Sequence, residues 1–213
     1  WVYLTTSLLV QDNQPVGMIS ISHDISDRKT AEQRLLVFSE QLKQIHRLST
    51  QPYENYDELF DDFLRTGMEI FGMEVGVISR VSERDYEVFH VRSPFDELTP
   101  GTIFPVSYTI CEHVINRQAT LTIQDAETDP DFHDHPVHRD WHTMSYIGTP
   151  IRLRGQVFGT LNFSSRRVFP RPFRASDSEI IELLARSISH YLEERLLADE
   201  RREYEQELLK AKE

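Results

Sequence analysis

Two stretches of the chain carry side chains able to do chemistry. The first centres on Cys111, the one cysteine in 213 residues. A thiol becomes a nucleophile when it is exposed and its pKa is lowered. His113 stands two positions on, and at that spacing two helical side chains point in different directions. With one thiol, no intrachain disulfide forms and a redox cycle has no resolving partner in the chain. The plainer reading of Cys111 is a small buried hydrophobe. The second stretch is His133-Asp134-His135-Pro136-Val137-His138-Arg139-Asp140-Trp141-His142. Imidazoles and carboxylates at short spacing can bind a transition metal, or titrate near neutrality and so sense pH. No HExxH spacing supports a metal, and Pro136 is expected to interrupt any helix. We expect a solvated loop and assign no metal ligand. No phosphate-binding glycine loop or Ser/His/Asp constellation occurs at useful spacing. The chain itself is therefore not expected to be an enzyme.

The formal charge of −12 argues against a nucleic-acid or anionic-membrane surface, because phosphate binding needs clustered Lys and Arg. A single cysteine suits a reducing cytoplasm. No apolar run reaches the length of a membrane span, and no secretory signal is visible. The chain opens on Trp1 and closes inside a helical pattern. We expect a piece of a longer protein, with any membrane anchor or catalytic module elsewhere in it.

The elements that must position these side chains follow from periodicity. Residues 1–23 predict a hairpin, with Val2, Leu4, Leu8 and Val10 alternating in one strand and Gly17, Ile19 and Ile21 in the other. Gln11-Asp12-Asn13-Gln14 supplies the turn. Two strands alone are marginal in water, so this hairpin needs a further sheet or a neighbour. Asp24 or Ser26 is placed to cap a helix over 27–50. Its apolar residues Ala31, Leu35, Phe38, Leu42 and Ile45 repeat at coiled-coil spacing. Asn55 with Glu58 makes a capping box for a helix carrying Tyr56, Leu59, Phe60, Phe63, Leu64 and Phe71. Strands are predicted at 74–81 and 86–91, a short helix at 107–117 capped by Ser107, and a strand at 120–123. The polar segment 126–143 is long enough to be functional. Strands at 145–153 and 156–163 turn at Arg154-Gly155, with Val157, Gly159, Leu161 and Phe163 on one face. Ser176 with Glu179 opens the last helix, which continues to the terminus. Its first seam is Ile181, Leu184, Ile188 and Tyr191; its second is Leu197, Tyr204, Leu208 and Ala211. A charged helix roughly 50 Å long overshoots such a domain and needs a partner helix.

Several of these segments resemble known families. Gly17-Met18-Ile19-Ser20-Ile21-Ser22-His23-Asp24-Ile25-Ser26-Asp27-Arg28-Lys29 is similar to the closing strand and exit of a PAS domain. That resemblance implies that Asp24 ties the sheet to the output helix. Residues 53–190 resemble the GAF family through six pieces in order. They are Ser107 to Val114, Ile123-Gln124-Asp125, Asp129-Pro130-Asp131-Phe132, His135-Pro136-Val137, Tyr146 to Ile151 and Val157 to Phe163. The resemblance implies an α+β fold: an antiparallel sheet with helices on one face and loops over a ligand cavity on the other, flanked by long helices. The domains expected are a PAS remnant at 1–26, a linker helix at 27–52, the GAF domain at 53–190 and a signalling helix at 191–213. The terminal helix also resembles those leading into histidine-kinase dimerisation domains.

The function this implies is a cytoplasmic sensory module of a bacterial sensor histidine kinase, and that parent protein can be membrane-anchored. The cavity is expected to use Tyr108, Cys111, His113, Asp125, Phe132, His135, Trp141, Tyr146 and Thr160. Asp24, Leu35, Leu42, Ile188 and Tyr191 are expected to relay the signal. The expected partners are a small-molecule ligand, a second copy in a parallel homodimer, and a response regulator reached through the kinase. Nucleic acid and membrane are not expected. Haem stays open as a ligand through any of His133, His135, His138 or His142, and cyclic nucleotide stays open because Ser107, Thr109 and nearby backbone N–H groups are able to hold a phosphate. A covalent bilin needs a cysteine after Asp125 and is not expected. The rival readings are a dimerising spacer whose cavity is filled by Phe132, Trp141 and Tyr146, and a sensory module of a diguanylate cyclase.

Overall fold

The computed structural model describes residues 1–96 and 98–210, with the backbone alone for residues 199, 203, 204 and 206–210. Contacts divide the chain into a unit from Trp1 to Lys43 and a second from Gln44 onward.

In the first unit, β1 (Val2–Gln11) pairs antiparallel with β2 (Gln14–Asp24). Asp12 and Asn13 hold φ of 49° and 60°, as a two-residue hairpin turn requires. The register sets Leu4 opposite Ser22 and Leu8 opposite Met18, but Ile19 opposite Ser7 and Ile21 opposite Thr5. Directly paired residues share a face, so the two apolar sets lie on opposite faces, and both are exposed. Helix α1 (Ser26–Thr50) follows. The Ser26 N–H donates to Asp24 Oδ1 at 2.9 Å, joining the end of the strand to the start of the helix. Leu35 and Leu36 are 68% and 71% exposed.

The second unit contains a six-stranded sheet in the order β5-β4-β3-β8-β7-β6. The strands are β3 (Val75–Val81), β4 (Asp85–Arg92), β5 (Ile103–Pro105), β6 (Leu121–Ile123), β7 (Ser145–Leu153) and β8 (Gln156–Ser165), and every pairing is antiparallel. The β7–β8 turn puts Arg154 and Gly155 at positive φ, as that dipeptide predicts.

Long helices α2 (Tyr56–Phe71) and α5 (Ala175–Lys210) cover one face. Asn55 caps α2 by accepting from the Glu58 N–H at 2.8 Å. Between helices and sheet, Phe60, Phe63, Leu64, Phe163, Leu184 and Ile188 are wholly buried. Each such burial contributes about 1.5–3 kcal/mol.

The first seam expected on α5 is thus spent on its own domain. Ile181, Leu184 and Ile188 are buried there, and the Tyr191 hydroxyl donates to the Ser49 carbonyl at 3.1 Å. In the second seam Leu197 is exposed, while Tyr204, Leu208 and Ala211 lie outside the described side chains.

Three local expectations are corrected. Ser107 caps nothing: a 3-10 turn (Val106–Tyr108) precedes α3 (Cys111–Arg117), whose N-cap Ile110 makes no side-chain bond. Pro136 starts a helix rather than interrupting one, because α4 (Pro136–Trp141) has it in the first turn, where its missing N–H costs nothing. The last helix opens one residue earlier than expected, and Asp177 replaces the Ser176–Glu179 box. Its carboxylate accepts from the Arg174 N–H at 2.7 Å and takes both Arg171 nitrogens at 2.6 and 2.8 Å. The short strand β5 carries too few residues for periodicity to reveal it.

Helix α2 approaches the sheet through Gly67, where an added Cβ would collide with the Phe163 ring. Alanine is the better helix former by about 1 kcal/mol, but overpacking costs about 1–3 kcal/mol. Gly67→Ala is expected to lower the denaturant midpoint despite its propensity gain; an unchanged or raised midpoint contradicts this packing.

Candidate functional site

Strand alternation gives the sheet a second face with different chemistry. In β8, Leu161 and Phe163 turn toward the long helices, so Thr160 and Asn162 turn away from them. All four are buried. The Ser79 and Thr160 hydroxyls meet at 2.8 Å across β3 and β8, and the Thr160 N–H donates to Ser79 Oγ at 3.0 Å. Asn162 Nδ2 donates to the Tyr86 hydroxyl at 3.3 Å and lies 3.5 Å from Cys111 Sγ. Cys111 Sγ lies 3.3 Å from the Tyr146 hydroxyl. Four strands and α3 therefore converge on one hydrogen-bonded cluster.

Burial sets the protonation of this cluster. It pushes the Tyr86 and Tyr146 phenols well above their usual range, and the neighbouring Cys111 pushes them the same way. Burial likewise raises the Cys111 thiol, against hydrogen bonds from Thr160 and Tyr146 that favour the thiolate. All three groups stay neutral at physiological pH, so Cys111 is not an activated nucleophile.

Beside the cluster lies a cavity of about 70 Å³. Its apolar wall includes Val75, Val77 and Ile110, its polar wall Tyr86, Cys111, Tyr146 and Asn162, and its mouth Tyr108, Val137 and Trp141. No Lys, Arg, His, Asp or Glu lines it among the described residues. Helix α4 covers one side of it with Val137 and Trp141, and the Trp141 ring is set edge-on to Phe104 of β5 at 5.2 Å. Ligand pockets usually span about 300–1,000 Å³. Neither haem nor a cyclic nucleotide fits a cavity of this size, and no cation lines it among the described residues. A wider groove of about 610 Å³ runs beside Tyr53, Tyr56 and Tyr191, but Glu54 and Glu194 balance Arg195 and Arg202 along it.

Of the nine expected pocket residues, Tyr108, Cys111, Trp141 and Tyr146 line this cavity. Thr160 stands behind Asn162. His113, Phe132 and His135 form an adjoining ring cluster, with His113 and His135 each packed on Phe132 at 5.1 and 5.9 Å. Asp125 lies apart and accepts from the Glu127 N–H at 3.1 Å. Ser79, Tyr86 and Asn162 join the site without having been expected there. Their signal in the sequence is a polar or phenolic side chain at a buried position of an alternating strand. Thr109, expected among phosphate donors, instead donates its hydroxyl to the Val106 carbonyl at 2.8 Å. Among the described residues no three His, Cys, Asp or Glu side chains converge to hold a metal ion, and no helix is long and apolar enough to cross a membrane.

The GAF domain family model matches residues 55–192. No curated protein matches the chain. Among solved structures, the GAF domain of an Acinetobacter phosphoenolpyruvate-protein phosphotransferase is similar at TM-score 0.62 and 14% identity, over 76% of this chain and 98% of that one. A free methionine-R-sulfoxide reductase from Neisseria meningitidis, in complex with its substrate, is similar at TM-score 0.57 and 17% identity, over 72% and 86%. An A. aeolicus GAF domain in an inactive state is similar at TM-score 0.55 and 17% identity, over 75% and 98%. At these identities the likeness shows the fold.

Cys111 is expected to resist a thiol reagent such as 5,5′-dithiobis(2-nitrobenzoate) at pH 8 in the native chain and to react fully in denaturant. Rapid native labelling contradicts the buried, neutral thiol.

Proposed function

The chain belongs to the GAF family, and from that premise we propose that it is a sensory relay module for a small, uncharged, hydrogen-bonding ligand. The observation that carries this is the buried cluster of neutral donors and acceptors facing a cavity that no charged side chain lines among the described residues. Burying an uncompensated charge is costly, so an anion such as a cyclic nucleotide is disfavoured. A methionine sulfoxide reductase activity is disfavoured as well, because Cys111 is buried and has no second cysteine to resolve it.

Ligand entry requires α4 to move. The strands offer the route outward, since Thr160 and Asn162 touch the cluster while Leu161 and Phe163 pack under the helices. A ligand shifts the helices only by its differential affinity for the two arrangements. In this reading the exposed Leu35 and Leu36 of α1 and the α5 extension pair with a second copy in a parallel homodimer. The hairpin closes a PAS sheet, and the parent is a histidine kinase acting on a response regulator. The small cavity favours one rival, a relay spacer whose pocket is filled by its own aromatic side chains.

A thermal-shift panel of neutral metabolites, amino acids and cyclic nucleotides separates them. A neutral compound at 100 times its Kd is expected to add about 2.7 kcal/mol, with the gain lost in Asn162→Leu. A cooperatively folded chain that no compound stabilises supports the spacer. Sedimentation is expected to show a dimer; a monomer at high concentration removes the relay geometry.

A further inference from the structure

The lid is fastened by a side chain that can hold a proton. His135 is the N-cap of α4, and its ring Nδ1 accepts the Val137 N–H at 3.2 Å. That bond needs the lone pair of a neutral imidazole, because an imidazolium is a donor at both nitrogens. A six-residue helix has little stability of its own. Its other end is held by the His142 N–H, which donates to the His138 carbonyl, and by His138 Nδ1 beside the Thr143 carbonyl at 3.0 Å.

We propose that α4 is a proton-released lid: neutral His135 fastens it, and protonation of that ring frees Trp141 from the mouth of the pocket. The gate rests on the pocket being a ligand site, which it would regulate. The proton comes from solvent, the Val137 N–H loses its acceptor, and no other covalent bond changes.

The groups around His135 set the direction. From α3, the His113 ring lies 6.0 Å away and disfavours a second positive charge, while Glu112 favours it. Phe132 packs beside both imidazoles, its ring 5.1 Å from His113 and 5.9 Å from His135. Before it, His133 Nε2 pairs with Asp134 at 3.0 Å; on α4, Arg139 pairs with Asp140 at 2.9 Å. Burial is the largest influence and lowers the His135 pKa in the closed state, with His113 next and Glu112 opposing. An open lid returns the ring to its ordinary value near 6.5. The open state therefore binds more protons, and closure is fully present above about pH 6.5 and weakens as pH falls through the lowered closed-state value. Loss of the cap shifts the lid equilibrium about 2- to 30-fold.

The test uses the full chain carrying Trp1→Phe, which leaves Trp141 as the one indole. Trp141 emission and acrylamide quenching are followed from pH 8 to pH 5, with far-UV circular dichroism reporting global unfolding. A red shift and stronger quenching are expected, half complete below about pH 6.5, while the dichroism stays near its starting value. His135→Asn keeps an acceptor at the cap and cannot titrate, so it is expected to remain closed throughout. His135→Ala lacks the acceptor and is expected to be quenched already at pH 8. A transition that persists in His135→Asn, a closed His135→Ala, or no transition in the parent chain overturns the gate. The readout needs no ligand. An empty thermal-shift panel with an intact transition removes the ligand reading alone, and a transition indifferent to His135 removes the gate alone.

Discussion

The domain depends on satisfying polar groups where water cannot reach. Ser79, Thr160, Asn162, Tyr86 and Tyr146 on the inner face of the sheet and Cys111 on α3 bond to one another. An unpaired buried group costs about 1–3 kcal/mol, so each constrains the element that carries it. The fit is close: a Cβ on Gly159 would stand in direct collision with the Ser79 carbonyl oxygen. Glycine there lets β8 come near enough to β3 for the hydroxyls to meet.

The two faces of β8 tie this cluster to the rest of the unit. One residue in two touches the pocket and the next packs under α2 or α5. A movement of the strand is therefore felt on both sides. The lid is built differently. Helix α4 is short, half-exposed and held at its ends by imidazoles, which is why the proposed gate places the movement there and not in the sheet.

Much of this is legible in the sequence. The capping box at Asn55, the Arg154-Gly155 turn and the alternation of β7 and β8 are local signals, and the structure has them where periodicity places them. The helix at Pro136 escapes such a reading because proline breaks a helix interior, although it is favoured in a first turn. The cap on α5 escapes it because Asp177 is fixed by Arg171, a contact the local capping pattern does not contain. The polar cluster is only partly legible. Thr160 and Tyr146 fall within the family resemblance, but Ser79 and Tyr86 reach the site through pairing between strands distant in sequence. In the hairpin, alternation reveals the apolar set of each strand, yet their separation onto opposite faces depends on register across the turn.

The central claim is that a movable lid closes over a fixed polar cluster. Hydrogen–deuterium exchange of the full chain tests it most directly. The His142 amide at the end of α4 is expected to exchange at least ~100-fold faster than the Thr160 amide, reflecting local opening well below the global unfolding cost. Equal protection of the two would mean that lid and sheet form one continuous core, and would contradict the account.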